Sequence, residues 1–290
     1  MTTPPATQTL GITLMIVTTF VFALQDGVTR TLAHNLPIPV IVMVRYWFFA
    51  IFALVVSTQT SGGLVAVARS STPWTQITRG VILAIEMTVM GLAFHALGLV
   101  GTHAIFACYP LIVAALSIPL LKERVGWRRW FAIGVGFLGV LVILQPGSGL
   151  WSPYATLSLA SAILFAIYSV LTRLVSRYDS PQTSFLWTAV TGAVVMTVLG
   201  ALTWQPVPPE AWGWLSVLCV LGVLAHYLLI KAYSLAEASA VQPFAYFQLP
   251  FTSLLGVVVF AEPIPANVVI GATIVVLAGL FTLRRARQQA

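Results

Sequence analysis

The chain has 290 residues, 59% of them apolar and only 7% charged, with a formal net charge of +7. A soluble domain carries about 25% charged residues, so this composition excludes a water-soluble globular protein and points to lipid as the solvent. Cys108 and Cys219 fall inside apolar runs without metal-ligand spacing and read as small apolar fillers.

Apolar runs of about 20 residues, long enough to cross a bilayer core as helix, recur from end to end. They lie near 8–29, 37–58, 77–97, 101–121, 127–145, 154–173, 181–203, 212–234, 239–260 and 265–284. They lack the period-2 alternation of a membrane barrel, and a helix satisfies its own backbone in lipid. The expected fold is all-α, a polytopic membrane protein of ten transmembrane helices with no separate soluble domain. MTTPPATQTL has no basic n-region, so the first span is read as retained, not as a cleaved signal.

The basic residues are distributed unevenly. Twelve of the fourteen, including Arg79, Lys122, Arg124, Arg128, Arg129 and Arg173, fall on one side of the alternating spans; Arg30 is alone on the other and Arg45 lies within the second span. This positive-inside bias predicts an inner-membrane protein with cytoplasmic termini and gives the net charge no nucleic-acid role. Trp74, Trp127, Trp130, Trp151, Trp204, Trp212 and Trp214 sit at span ends, as headgroup anchors do.

The sequence repeats itself. Phe22-Ala23 to Thr29-Arg30 ends the first span and Phe165-Ala166 to Thr172-Arg173 ends the sixth, 143 residues later. Pro37 matches Pro181, Pro110 matches Pro250 and Glu123 matches Glu262. Two five-helix halves follow, 1–147 and 148–290. Five is odd, so the second half enters from the opposite face and the repeats are inverted. Secondary transporters built this way place their site near the midplane between the halves and move by alternating access.

The fourth span of each half carries a small-residue turn, a mid-span proline, a loop glutamate and then a glycine-rich span. Here these are Pro110 and Glu123 before Gly134, Gly136 and Gly139, and Pro250 and Glu262 before Gly271 and Gly279. In this the chain resembles, over its whole length, the paired EamA-type domains of the drug/metabolite transporter superfamily. Among members it is most similar to bacterial inner-membrane exporters of aromatic and other amino acids. The resemblance implies a small-molecule substrate. Glu262 is followed by Pro263 where the family usually carries a basic residue, so no ion pair is expected within that loop.

Ionisable groups within lipid are costly and mark functional sites by default. Glu86, in the middle of span three, is a candidate contact for a substrate ammonium or a proton site, with Arg45 or His95 as structural partners. Asp26 and Arg45 are expected to form a structural ion pair, and Asp26 and Arg30 an i,i+4 pair. Gln25 and Tyr168 hold corresponding positions in spans one and six. His226 is deep enough to line a cavity. Tyr109 precedes Pro110, and Phe244, Tyr246 and Gln248 surround the bend before Pro250. Each proline frees the carbonyl four residues back, of Phe106 and of Tyr246, and makes Pro110 and Pro250 the expected hinges. The glycines of spans five and ten are assigned to close helix packing.

The leading expectation is a secondary transporter exporting small amphipathic metabolites, amino acids first. A proton-coupled exporter of cationic drugs is the alternative, because a lone mid-membrane carboxylate and aromatic rings suit a cation. Nucleotide sugars fit less well, since deep Lys or Arg clusters are lacking. A membrane enzyme fits least, because its histidines and carboxylates are scattered. No cofactor, metal or nucleic acid is expected, and the partners are the substrate and the lipid bilayer. Ten spans suffice to enclose a path, which allows a monomer.

Overall fold

The computed structural model describes residues 5–123, 126–144 and 154–262, together with 266–267, 269–271, 273–274 and 277–278. Arg124, Trp151, Pro263, Gly279 and most of the tenth predicted span lie outside these, as do the side chains of Arg128 and Arg129. The regular elements are α1 (Pro5–Leu32), α2 (Ile38–Gln59), α3 (Gly63–Ala68), α4 (Pro73–Phe106), α5 (Tyr109–Leu121), α6 (Trp127–Leu144), α7 (Ala155–Val175), α8 (Pro181–Leu202), α9 (Ala211–Leu235), α10 (Ala238–Ala245) and α11 (Gln248–Phe260). No strand occurs among the described residues. Among the described residues seven helical stretches are long and apolar enough to cross a membrane, with shorter apolar helices at Tyr109–Leu121 and Trp130–Gly139. The count differs from the expected ten because the fourth span is divided, the fifth qualifies only over the shorter stretch Trp130–Gly139, and the tenth is largely undescribed.

Proline and glycine set the boundaries. Pro73, Pro110 and Pro181 each stand in the first turn of a helix, where a missing N–H costs nothing. Ser180 caps α8, its hydroxyl accepting from the Thr183 N–H at 3.0 Å. Gly98, at φ 72° and ψ −179°, joins two limbs of α4, so span three and the first limb of span four run on as one element. Only glycine adopts that conformation readily. Span four is then broken at Ala107–Cys108, between α4 and α5, and span nine at Tyr246–Phe247, between α10 and α11. Pro110 and Pro250 both begin the limb after the break. At the second break the Tyr246 carbonyl accepts from the Leu249 N–H at 3.1 Å, so it is not freed for a ligand as the sequence suggested.

The helices ending before the two loop glutamates finish alike. Lys122 and Ala261 are left-handed, at φ 54° and φ 50°. The next N–H, of Glu123 or Glu262, returns to the carbonyl six residues back, on Ser117 or Gly256. This shared left-handed ending fixes the direction in which each carboxylate leaves its helix.

The most extensive pairings are α4 with α7, α1 with α9 and α2 with α8. Numbered as spans, these are three on six, one on eight and two on seven. Adding five to every number exchanges the first two pairings and returns the third, which is the pattern a two-fold relation between halves produces. Pairings of α5 with α7 and α1 with α11 form another exchanged couple.

Chain alternation defines two faces. One holds the α7–α8 link with Asp179, which accepts from Ser70 Oγ at 2.5 Å, the Ser71 N–H at 2.8 Å, Thr72 Oγ1 at 3.0 Å and Gln76 Nε2 at 2.9 Å. The other holds Arg30, Gly98 and Glu262. Trp74, Trp127, Trp204, Trp212 and Trp214 are exposed at helix ends, where anchors belong. Gly136 lies against the Tyr246 ring, and among the described residues nothing stands within 4 Å of a Cβ at Gly134.

Candidate substrate site

A cavity of about 50 Å³ lies where α1, α2, α4, α7, α9 and α11 converge. α1 contributes Phe22, Gln25, Asp26 and Thr29. Arg45 comes from α2, Glu86, Met90, Phe94 and Phe106 from α4, Phe165 from α7, His226 from α9 and Gln248 from α11. One water needs about 10–15 Å³ of such space, so this volume holds a few waters and no larger solute. Entry of substrate requires the surrounding helices to part.

The polar walls form three groups of contacts. Arg45 Nη2 donates to Gln25 Oε1 at 2.9 Å and lies 3.1 Å from His226 Nε2. His103 Nε2 lies 3.0 Å from Asp26 Oδ2, and Gln248 Nε2 donates to the same oxygen at 3.1 Å. Ser161 Oγ donates to Glu86 Oε1 at 2.6 Å. The expected direct Asp26–Arg45 pair is therefore replaced: each finds its own partners across the helix junction. Glu86 takes Ser161 where the sequence suggested Arg45 or His95, and His95 is exposed.

The cavity brings together Gln25, Asp26, Arg45, Glu86, His226 and Gln248 of the residues singled out in the sequence. Tyr109, Tyr168, Phe244 and Tyr246 are buried elsewhere. Tyr109 packs on Phe106 and Phe165, at 4.8 and 5.0 Å between centroids. Tyr168 lies beside Arg79, with the guanidinium carbon 5.4 Å from its ring centre. Phe244 is a core residue. Tyr246 donates to the Ile133 carbonyl at 3.4 Å. Sequence reasoning missed the aromatic wall of Phe22, Phe94, Phe106 and Phe165, and the contact between His103 and Asp26. The FA dipeptides at Phe22 and Phe165 carried part of that signal as a repeat landmark. Arg79, counted with the surface cations, is 0% exposed.

Two further clusters bound the site. Glu262 pairs with Arg30 and accepts from the N–H groups of Leu99 and Val100, at 3.3 and 3.2 Å. Glu123 accepts from Arg173 Nε at 3.3 Å and from the N–H groups of Ala238 and Ser239, at 3.2 and 3.1 Å. Each carboxylate thus caps the broken span of the other half and holds the arginine that ends that half's first helix. Arg30 pairs with Glu262, not with Asp26 one turn earlier, so the loop without a basic neighbour has its ion pair after all.

A helical membrane protein, with repeat-like halves closed on a small polar cavity, belongs in class with transporters. Matching with known proteins narrows this: the chain belongs to the EamA-like transporter family, whose model matches twice, over residues 9–145 and 152–284. It is similar to a riboflavin transporter of Rhizobium johnstonii, 32% identical over 97% of this chain and 93% of that protein. A riboflavin transporter of Vibrio cholerae is 28% identical over 93% and 92%, and an S-adenosylmethionine uptake transporter of Rickettsia felis 26% identical over 74% and 73%. A crystal structure 17% identical in sequence superposes with a TM-score of 0.76 over 98% of both chains, a likeness of fold.

Proposed function

We propose that the chain is a secondary transporter of planar, polar heteroaromatic metabolites, riboflavin first, working by alternating access between two inverted five-helix repeats, 1–147 and 148–290. The carrying observation is the composition of the central cavity. Phe22, Phe94, Phe106 and Phe165 line it with aromatic rings, and Gln25, Arg45, Gln248 and His226 with hydrogen-bonding groups. Aromatic rings suit a flat ring system. The amides and guanidinium suit a carbonyl-rich edge, and Asp26 and Glu86 suit hydroxyl donors. Relatives named riboflavin transporters, similar along nearly the whole chain, support the same substrate class.

The two glutamate clusters serve as gates. Opening toward the Arg30 face breaks the Glu262 contacts while the Glu123 contacts hold, and opening toward the Asp179 face does the reverse. Pro110 and Pro250 hinge the broken spans. The clustering of basic residues on one side supports an inner-membrane protein of ten spans with cytoplasmic termini. Names given for uptake among the relatives support inward movement over the export suggested by sequence likeness.

Amino acids remain the second reading, because Arg45 and the carboxylates Asp26 and Glu86 line one cavity and together match a zwitterion. The test is flux of labelled riboflavin into liposomes holding only this protein, without an ion gradient. Saturable uptake blocked by unlabelled riboflavin and not by amino acids supports the flavin reading. The opposite inhibition pattern replaces it with the amino-acid one. Flux that needs an imposed proton gradient makes the carrier coupled.

A further inference from the structure

Arg79 enters the core from α4, fully buried, and among the described residues no carboxylate hydrogen-bonds it. Its terminal nitrogens donate to the Ser184 carbonyl at 3.1 Å and to Thr188 Oγ1 at 2.6 Å, and its Nε–H has no acceptor. Two buried hydroxyls in its electrostatic surroundings, of Tyr46 and Tyr168, also make no hydrogen bond among the described residues. The Tyr168 hydroxyl approaches Thr172 and Thr188 without hydrogen-bond geometry. The acid in its electrostatic surroundings, Asp179, is occupied by Ser70, Ser71, Thr72 and Gln76. A guanidinium N–H and two hydroxyls left wanting acceptors inside a helical bundle are unfavourable unless an acceptor visits them.

The repeat tells where such an acceptor would come from. Arg45 lies near the start of α2 at the Arg30 face, against Gly222 and Cys219 of α9. Arg79 lies near the start of α4 at the Asp179 face, against Ser184 and Thr188 of α8. Thr188 follows Arg45 by the 143 residues that separate Arg30 from Arg173, and Cys219 follows Arg79 by the 140 that separate Pro110 from Pro250. Exchanging the halves therefore carries the span-two/span-eight interface of Arg45 onto the span-seven/span-three interface of Arg79. Both interfaces carry a buried arginine, supplied from opposite partners.

We propose that Arg79, Tyr46 and Tyr168 form a second substrate subsite, for the paired carbonyl or carboxylate oxygens of a planar solute, filled when the molecule opens toward the Asp179 face. The proposal rests on the alternating-access reading above. In an inverted repeat the opposite-facing state is reached when the halves exchange conformations, so the cleft bordering Arg45 reappears bordering Arg79. The solute's oxygens then satisfy the Arg79 Nε–H and the two tyrosine hydroxyls, and Arg79 receives from Arg45 what crosses the membrane.

The test uses the full chain in liposomes with Cys108→Ala and Cys219→Ala, carrying Thr188→Cys. A membrane-impermeant thiol reagent is applied to each face in turn, with and without riboflavin. Labelling from the Asp179 face only, slowed by riboflavin, is expected. In an otherwise unaltered chain, Arg79→Lys raises the riboflavin KM measured from that face about tenfold, a shift of 1.4 kcal/mol, and leaves the KM from the other face in place. Arg79 acting only as a structural donor moves both KM values together, which overturns the subsite. So does a Thr188→Cys chain that carries riboflavin but labels from neither face. If the unaltered chain carries no riboflavin, the substrate reading fails by itself. Labelling of Thr188→Cys from the Asp179 face then still supports the subsite, and its absence overturns it.

Discussion

Glu123 and Glu262 make the same contacts at opposite faces of the molecule. Each follows a left-handed residue, holds two backbone N–H groups at the start of a broken span, and holds the arginine that ends a first-of-half helix. A hydrogen bond to a charged group contributes about 1.5–3 kcal/mol, so removing the charge from one cluster biases the gates by roughly ten- to a hundredfold. Glu262→Gln is expected to expose the cavity to the Arg30 face, and Glu123→Gln to the Asp179 face. Thiol accessibility of Gln25→Cys from each side measures this. Equal exposure to both faces in either variant counts against gating.

Glu86 separates coupling from binding. It is buried and bonded to Ser161. If its proton drives transport, Glu86→Gln abolishes accumulation against a gradient and spares downhill exchange. A variant that still concentrates substrate on an imposed proton gradient removes Glu86 from coupling and leaves it as a contact.

Gly222 lets the Arg45 guanidinium lie flat on α9: a Cβ there would stand 2.5 Å from Arg45 Nε. Gly222→Ala is expected to push Arg45 off Gln25 and His226. Overpacking of this kind costs about 1–3 kcal/mol, so substrate affinity should fall about tenfold or more while the protein still folds. Binding of riboflavin by the purified variant, beside its melting temperature, reads the two effects separately.

Asp179 ties the α7–α8 link to the segment before α4. Burial alone would raise its pKa, but donors from Ser70, Gln76, Ser71 and Thr72 outweigh that and hold it below the ordinary 3.8. The unfolded chain therefore takes up the proton first as pH drops. Its stabilisation is complete above about pH 5 and fades as pH falls through 3.8 toward the folded-state value. Asp179→Asn should lower stability at pH 7 by about 1–3 kcal/mol and flatten the acid side of the melting-temperature profile. A variant with the unaltered profile would remove Asp179 from acid sensitivity.

The fold was legible because lipid leaves few solutions. Span lengths, the FA and TR landmarks and the proline–glutamate pairs announced repeated helices, and both broken spans lie where Pro110 and Pro250 stand. Partnership was harder to read. Asp26 could pair with Arg30 at i,i+4 or with Arg45 one helix away, yet His103 and Gln248 hold it, from 77 and 222 residues downstream. Helix rotation decided that, and apolar helices with little amphipathic bias leave rotation unwritten. The same ambiguity hid Arg79, whose place near a span end suggests a surface anchor until α8 closes over it. It also misplaced Tyr109, Phe244 and Tyr246, whose neighbourhood to a bend says nothing about which side of the bend they face.

The crossed capping has a consequence for how the protein is made. The N–H groups of Leu99 and Val100 take their acceptor from residue 262. At about 5–20 residues per second, synthesis leaves the first half without that carboxylate for roughly 8–30 s. During that interval its fourth span begins with bare donors at a glycine turn. The first half must wait in the membrane unfinished, and a truncated product ending near residue 150 should be a substrate for quality control and not a stable half-transporter.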